Sequence, residues 1–251
     1  MTTRAYILCT SPRSGSTLLC GLLAQTGIAG QPDSFYRTES ADWWAEHWQI
    51  GQGAPADAAT ERRFLDAALH EGRGRGDVFG MRLMHRDLGD LDRRLGLVFP
   101  EATTITQRIT RAFGPTIFLH LTREDKLAQA VSWVRARQSG LWHIAPDGTE
   151  VERLSPPAEP RYDASAITEA LKVFQAEENG WTRWFAAQGI TPARLSYQSL
   201  SDEPAATLAR VLGALGLDPA AANGVQPDVA RLSDGLNRNW IRRYRADFPE
   251  H

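Results

Sequence analysis

A short loop near the N-terminus groups side chains that could bind an anion: Arg13, Ser14, Gly15, Ser16 and Thr17. It follows an apolar run at 6–9 and precedes leucines at helical spacing, which predicts a turn from a buried strand into a helix. Unpaired N–H groups and partial positive charge at a helix N-terminus favour anions. The loop is therefore predicted to bind a phosphate-like group, and the hydroxyls of Ser16 and Thr17 are expected to cap the helix. A purely structural turn is the alternative.

Two other phosphate chemistries are disfavoured by the same residues. The loop lacks the Gly-x-x-x-x-Gly-Lys-Ser/Thr pattern and an obvious set of magnesium ligands, which argues against a kinase and predicts no metal site. Neither cysteine has a following arginine at the spacing of a tyrosine-phosphatase cradle. Cys9 and Cys20 are instead predicted to be reduced thiols in the core.

Length and composition indicate one large α/β domain over residues 1–251. The chain has 42% apolar and 23% charged residues, which is ordinary for a globular protein. A formal net charge of −2 argues against a general nucleic-acid binder. The N-terminal apolar run is short for a secretory signal, and no membrane-spanning stretch is evident, so a cytoplasmic protein without a transmembrane segment is expected.

Strand and helix patterns alternate along the chain. Strands are predicted at 6–9, 77–84, 115–122 and 193–197, with a short further strand near 28–31. Helices are predicted at 17–26, 39–49, 58–71, 87–98, 101–112, 124–138, 163–188 and 203–215. This alternation predicts a parallel β-sheet covered by helices on both faces.

Arg82 interrupts the apolar strand predicted at 77–84. Burying a charge costs free energy unless the charge meets an anion or a partner. Contact with a ligand is the favoured interpretation, and an internal salt bridge is the alternative.

Two segments have roles that the sequence leaves open. The excursion at 139–161 is rich in glycine and proline, with Asp147-Gly148 as a hairpin turn, and it is either a substrate-contacting lid or an ordinary surface loop. The segment at 226–251 is either a solvated amphipathic helix or a basic flap toward a phosphorylated ligand. Its basic residues are Arg231, Arg238, Arg242, Arg243 and Arg245.

Five segments in a fixed order resemble the sulfotransferases that use 3′-phosphoadenosine 5′-phosphosulfate (PAPS), and more narrowly the bacterial trehalose 2-sulfotransferase family. They lie at 11–19 (SPRSGSTLL), 30–36 (GQPDSFY), 79–84 (FGMRLM), 120–133 (HLTRED and QAVSW) and 240–244 (WIRRY). The resemblance implies a single-domain, P-loop-like sulfotransferase fold that transfers a sulfuryl group to a hydroxyl. The implied acceptor is a small molecule, sugar or lipid, and the implied product is adenosine 3′,5′-bisphosphate (PAP). The resemblance is also compatible with a homodimer.

The resemblance also implies roles for the donor-binding residues. Arg13 to Thr17 would hold the 5′-phosphosulfate, and Arg13 would stabilise the leaving phosphate without protonating it. Arg82 stands where the family usually has lysine. Arg123 and Ser132 would hold the 3′-phosphate, and Arg243 would also contact the donor. On local sequence alone, Arg123 could instead pair with neighbouring acids on the surface, and Ser132 could be a core hydroxyl.

The general base is the point where this chain departs from the family. Sulfuryl transfer requires a group that accepts the proton of the attacking hydroxyl. The trehalose enzymes use a glutamate in a Gly-x-Pro-x-Glu segment, and this chain has Ser34 there. The candidate bases are Asp33, His85 and Glu39, and the residues expected to contact the acceptor are Ser34, Phe35 and Tyr36. A nucleotide-binding protein that keeps the fold without catalysing is the alternative function.

Overall fold

Four parallel strands form the central sheet of the protein. The computed structural model describes residues 5–51, 57–230 and 235–249, so Arg231 lies outside the described residues. The strands are β1 (Ala5–Thr10), β2 (Phe79–Met84), β3 (Thr116–Thr122), β4 (Leu141–Ile144), β5 (Glu150–Arg153) and β6 (Ala193–Ser196). The sheet has the order β2-β1-β3-β6, and β4 and β5 pair separately. The predicted parallel α/β class is confirmed.

Ten α-helices lie among the described residues. They are α1 (Ser16–Gln25), α2 (Ala41–His47), α3 (Ala58–Arg73), α4 (Leu88–Val98), α5 (Ile105–Phe113), α6 (Lys126–Ser139), α7 (Ala164–Gln188), α8 (Tyr197–Asp202), α9 (Pro204–Ala214) and α10 (Gly235–Asp247). Short 3₁₀ turns lie at Thr38–Ser40, His85–Asp87 and Pro219–Ala222. None of these helices has the length and apolar character needed to cross a bilayer.

The alternation of side chains along β1 divides the core between the two faces of the sheet. Ile7 and Cys9 pack into a cluster with α3, α4 and α5. Tyr6 and Leu8 pack on the opposite face with α1 and α9. All six residues of β1 are buried, as expected for a central strand covered on both sides. Both cysteines are buried and free, which confirms that prediction.

Three local predictions are corrected by the backbone. Residues 28–31 form no strand; Asp33 makes one parallel bridge with Met81, where Arg82 N donates to Asp33 O at 3.0 Å. The helix predicted at 203–215 begins at Pro204, after the separate helix α8. Gly15, rather than Ser16 or Thr17, is the N-cap of α1, and it makes no side-chain capping bond.

The excursion after α6 is a β-hairpin. β4 and β5 pair antiparallel, and Gly148, with φ of 88°, donates from its backbone N to Ala145 O at 3.0 Å. The predicted turn at 147–148 is therefore confirmed. The hairpin is tied to the segment before α10, because Ala230 N donates to Ile144 O at 2.7 Å.

Helix α10 is amphipathic over its described length. Trp240 and Tyr244 are buried against α6 and α7, whereas the helix's arginines are exposed. The amphipathic-helix interpretation of the C-terminal segment is the one that the described residues support.

Candidate functional site

A cavity of about 300 Å³ opens at the carboxyl ends of the central strands. In open α/β sheets, ligands bind at this edge because the loops that follow neighbouring parallel strands converge there. The described residues that line the cavity include five arginines and a single acid: Arg13, Arg37, Arg82, Arg86, Arg123 and Glu152. This excess of positive charge suits an anionic ligand.

Arg13 connects the loop after β1 to two other parts of the fold. Its Nε donates to Ser132 Oγ on α6 at 3.1 Å, and its Nη1 donates to Trp142 O on β4 at 2.7 Å. Burial, followed by the nearby Arg123, lowers the pKa of Arg13 to about 10. The guanidinium therefore remains charged at neutral pH while it bonds to neutral oxygens, which leaves its charge available to an anion.

Arg123 lies immediately after β3 and faces the same cavity. Its Nη1 donates to Arg13 O at 3.1 Å, and its guanidinium lies 4.4 Å from the centre of the Tyr197 ring. The side chain is 9% exposed, so it is not a freely solvated surface arginine. Asp125 instead caps α6 by accepting from Ala128 N at 2.8 Å.

Arg82 reaches from β2 to the phosphate loop and to the segment at 33–34. Its Nε donates to Ser34 Oγ at 2.7 Å and its Nη1 to Thr17 Oγ1 at 2.9 Å. Its Nη2 lies 3.4 Å from Asp33 Oδ1. Arg82 thus has the internal salt bridge that the sequence offered as the alternative. It also lines the cavity, as the favoured interpretation of contact with a ligand requires.

The loop residues divide into those that line the cavity and one that does not. Gly15, Ser16 and Thr17 line the cavity. Ser14 is fully buried, and its hydroxyl donates to Ser11 O at 2.7 Å while lying 2.5 Å from Thr10 Oγ1. The Ser14 side chain therefore holds the loop closed on itself, and any contact with a ligand would come from its backbone.

Two of the three candidate bases carry exposed carboxylates. Asp33 and Glu39 are each 53% exposed at the side chain, and neither is among the cavity-lining residues. Glu39 lies 3.0 Å from Arg37 Nε and 3.3 Å from Arg86 Nη2. Partial burial opposes ionisation of Glu39, but its own backbone hydrogen bond and the two arginines outweigh that effect and lower its pKa.

His85, the third candidate base, packs against α7. Its ring meets that of Trp181 edge-on at 5.4 Å, and its backbone N donates to Glu177 Oε2 at 3.0 Å. Burial and the charge of Arg183 lower the pKa of His85. The structure therefore places its imidazole against the helix layer and outside the cavity lining.

The structure separates three further predicted contact residues from the cavity. Phe35 and Tyr36 are buried in the core, where their rings lie 6.2 Å from Phe79 and 5.4 Å from Phe64, respectively. Arg243 on α10 lies 4.0 Å from the centre of the Tyr162 ring. None of the three is among the residues that line the cavity.

The β-hairpin supplies functional candidates that sequence reasoning missed. Trp142, His143 and Glu152 line the cavity, as does Tyr197 at the start of α8. The strand predicted at 193–197, whose last residues are Ser196 and Tyr197, could have pointed to Tyr197, because side chains after parallel strands collect at this edge. The hairpin residues lack a comparable signal, since their place depends on how the hairpin docks.

His143 lies between the phosphate loop and Glu152. Its Nε2 is 3.2 Å from Thr17 Oγ1 and 3.4 Å from Glu152 Oε2. Burial, followed by the charges of Arg13 and Arg82, lowers the pKa of His143 to about 3. The imidazole is therefore neutral at pH 7, and its 3.4 Å contact with Glu152 is not an ion pair.

The chain has an α/β fold with an arginine-lined cavity at the carboxyl ends of its parallel strands. The sequence model of the Stf0 sulphotransferase family matches residues 5–247, and the chain belongs to that family. The chain is 31% identical over 265 aligned positions to the trehalose 2-sulfotransferase of Mycobacterium tuberculosis (strain ATCC 35801 / TMC 107 / Erdman), covering 98% of this chain and 96% of the relative. It is 30% identical over 262 positions to that of Mycolicibacterium smegmatis (strain ATCC 700084 / mc(2)155), covering 97% and 95%.

Among solved structures, the sulfotransferase domain of the Synechococcus PCC 7002 olefin synthase is similar with a TM-score of 0.49. The two are 14% identical, and the match covers 96% of this chain and 86% of that domain. The family membership, with its full-length coverage, establishes the chain as a sulfotransferase and supports the resemblance inferred from the five segments.

Proposed function

We propose that the chain transfers the sulfuryl group of PAPS to a hydroxyl of a sugar, with trehalose as the first acceptor to test. The two curated relatives are trehalose 2-sulfotransferases and match nearly the whole chain. A small-molecule or lipid hydroxyl is the wider acceptor class.

The convergence of three arginines is the observation that carries this proposal. Arg13 and Arg123 follow the adjacent strands β1 and β3, Arg82 lies near the end of β2, and all three line one cavity. PAPS carries negative charge at two places, a 5′-phosphosulfate and a 3′-phosphate. Arg13 and Arg82, beside the N-terminus of α1, suit the phosphosulfate. Arg123, with Ser132 close by, suits the 3′-phosphate.

The proposed reaction is a displacement at sulfur. The acceptor oxygen forms a bond to sulfur as the bond from sulfur to the bridging phosphate oxygen breaks, and the electron pair leaves with PAP. Arg13 stabilises the negative charge that develops on this phosphate, because its guanidinium is already held in place by Ser132 and Trp142 O. The proton of the acceptor hydroxyl must move to a base.

Transfer of sulfur-35 from labelled PAPS to trehalose tests the proposal directly. The wild-type chain should form a labelled product whose mass corresponds to monosulfated trehalose. Arg13→Ala should reduce the rate by about 10²–10³-fold, the usual effect of removing a group that stabilises transition-state charge. Arg93→Ala, which alters an exposed ion pair on α4, is the matched control and should leave the rate unchanged.

Two results would redirect the proposal. Binding of PAP without transfer to trehalose or to a pooled extract of hydroxylated metabolites would favour a non-catalytic nucleotide-binding protein. Turnover that is lost in EDTA and restored by Mg²⁺ would point to phosphoryl transfer, because the predicted reaction relies on fixed protein donors.

A further inference from the structure

Glu152 is the single acid among the described residues that line the cavity. It lies on β5 opposite His143 on β4 in the hairpin's strand pairing. Its side chain is 40% exposed, so the carboxylate is open to an incoming molecule. The three candidate bases considered from sequence all lie outside this lining.

A continuous series of polar contacts connects this carboxylate to the phosphate loop. Arg82 Nη1 lies 2.9 Å from Thr17 Oγ1, which lies 3.2 Å from His143 Nε2. His143 Nε2 in turn lies 3.4 Å from Glu152 Oε2. The tautomer of the neutral imidazole decides whether Nε2 donates to Thr17 Oγ1 or accepts from it.

From this geometry we propose that Glu152 is the general base that accepts the proton of the acceptor hydroxyl. This inference rests on the proposed sulfuryl transfer. As the acceptor oxygen attacks sulfur, its proton moves to a Glu152 carboxylate oxygen, while the electron pair of the broken sulfur–oxygen bond leaves with PAP. Water then takes the proton from Glu152. His143 is a positioning residue that holds the carboxylate beside Thr17.

The surroundings of Glu152 fit this role better than those of the other carboxylates. Glu152 faces the cavity from the hairpin, and its strand partner His143 contacts Thr17 of the phosphate loop. Glu39 is paired with Arg37 and Arg86 and lies outside the cavity lining. At position 34, where the family glutamate would stand, Ser34 is buried beneath Arg82.

Glu152→Gln tests the inference, because it keeps the size and polarity of the side chain and removes the proton acceptor. With PAPS and trehalose, this variant should lose about 10²–10⁴-fold in kcat. Its KM for PAPS and its calorimetric affinity for PAP should stay within about twofold of the wild type, since proton transfer does not contribute to donor binding. Glu152→Asp should recover part of the rate.

Glu150→Gln is the matched control. Glu150 lies two residues away on the same strand and pairs with Arg153 outside the cavity lining. This variant should retain wild-type kcat. Asp33→Asn, His85→Gln and Glu39→Gln should each cost less than about tenfold.

The results separate the base assignment from the proposed function. A Glu152→Gln enzyme with near-wild-type kcat, or one whose loss comes from weakened PAP binding, would overturn the assignment while leaving the sulfotransferase reaction intact. A wild-type chain that binds PAP but transfers no sulfuryl group from PAPS would overturn the proposed function and this inference together.

Discussion

The Nε of Arg13 donates a hydrogen bond to Ser132 Oγ at 3.1 Å, across 119 positions of sequence. This bond joins the loop after β1 to α6, and Arg123 completes the connection by donating to Arg13 O at 3.1 Å. The residues proposed for the two phosphate positions of the donor thus contact one another directly. Such a preformed arrangement lowers the reorganisation needed when charge develops in the transition state.

Gly15 is predicted to be intolerant of any side chain. Its φ is 88°, and a Cβ there would lie 2.7 Å from Cδ2 of Tyr197. Gly15→Ala should therefore lower the free energy of unfolding by about 1–2 kcal/mol, because alanine is strained at this left-handed φ. It should also displace the Tyr197 ring that lies against Arg123. Urea unfolding and PAP calorimetry measure the two effects.

Gly148→Ala provides the control for the backbone component alone. Gly148 also has φ of 88°, but a Cβ there meets nothing within 4 Å. It should lose stability without losing PAP affinity. Equal effects of the two substitutions on both measurements would show that the contact with Tyr197 is unimportant.

Ser34 is predicted to act by positioning Arg82. Ser34→Ala removes the oxygen that accepts from Arg82 Nε at 2.7 Å, while the bond from Nη1 to Thr17 remains. Because a hydrogen bond to a charged group contributes about 1.5–3 kcal/mol, kcat/KM should fall by roughly 10–150-fold and turnover should remain measurable. Steady-state kinetics with PAPS and trehalose provide the measurement.

Ser40→Ala is the neighbouring control for this experiment, since the Ser40 hydroxyl makes, among the described residues, only 3.4 Å contacts with the backbone carbonyls of Ser34 and Arg37. It should leave kcat/KM close to the wild-type value. Abolition of turnover by Ser34→Ala would instead indicate that Ser34 takes part in the chemical step.

His143 is predicted to make the folded state sensitive to acid. Its pKa falls from 6.5 to about 3 in the folded chain, chiefly through burial. Below pH 6.5 the unfolded chain therefore takes up a proton that the folded chain does not, and stability is lost as the pH falls from about 6.5 towards 3. At pH 5 this effect amounts to about 2 kcal/mol.

The matching measurement compares urea unfolding at pH 8 and pH 5. His143→Asn should lose about 2 kcal/mol less stability over this interval than the wild type, whereas His70→Asn controls for removal of an exposed imidazole on α3. Identical pH dependence of the wild type and His143→Asn would contradict the buried, neutral state assigned to this ring.

The positions of the arginines could be predicted from sequence because parallel strands impose them. Arg13 and Arg123 follow adjacent strands, Arg82 lies near the end of the next one, and parallel order brings all three to one edge. The burial of Phe35 and Tyr36 in the core could not be predicted in the same way. Their segment is short and irregular, and local sequence does not determine whether aromatic rings in such a segment enter a core or face a ligand.

The contribution of the hairpin depended on tertiary contacts. Its turn at 147–148 could be predicted, since Asp-Gly favours that geometry. Its docking over the phosphate loop rests on long-range bonds, from Arg13 Nη1 to Trp142 O and from Ala230 N to Ile144 O. His143 and Glu152 therefore reach the cavity through contacts between segments far apart in sequence.

The affinity of the chain for PAP relative to AMP is the most direct test of the proposed donor site, because AMP lacks the 3′-phosphate that Arg123 is proposed to bind. Calorimetry should show that PAP binds much more tightly to the wild type. Arg123→Ala should narrow the ratio of the two affinities by about 10–150-fold, the equivalent of 1.5–3 kcal/mol for a hydrogen-bonded charge pair, while Arg93→Ala should leave it unchanged. Equal binding of PAP and AMP by the wild type, or a full preference for PAP in Arg123→Ala, would contradict the assignment of Arg123 to the 3′-phosphate.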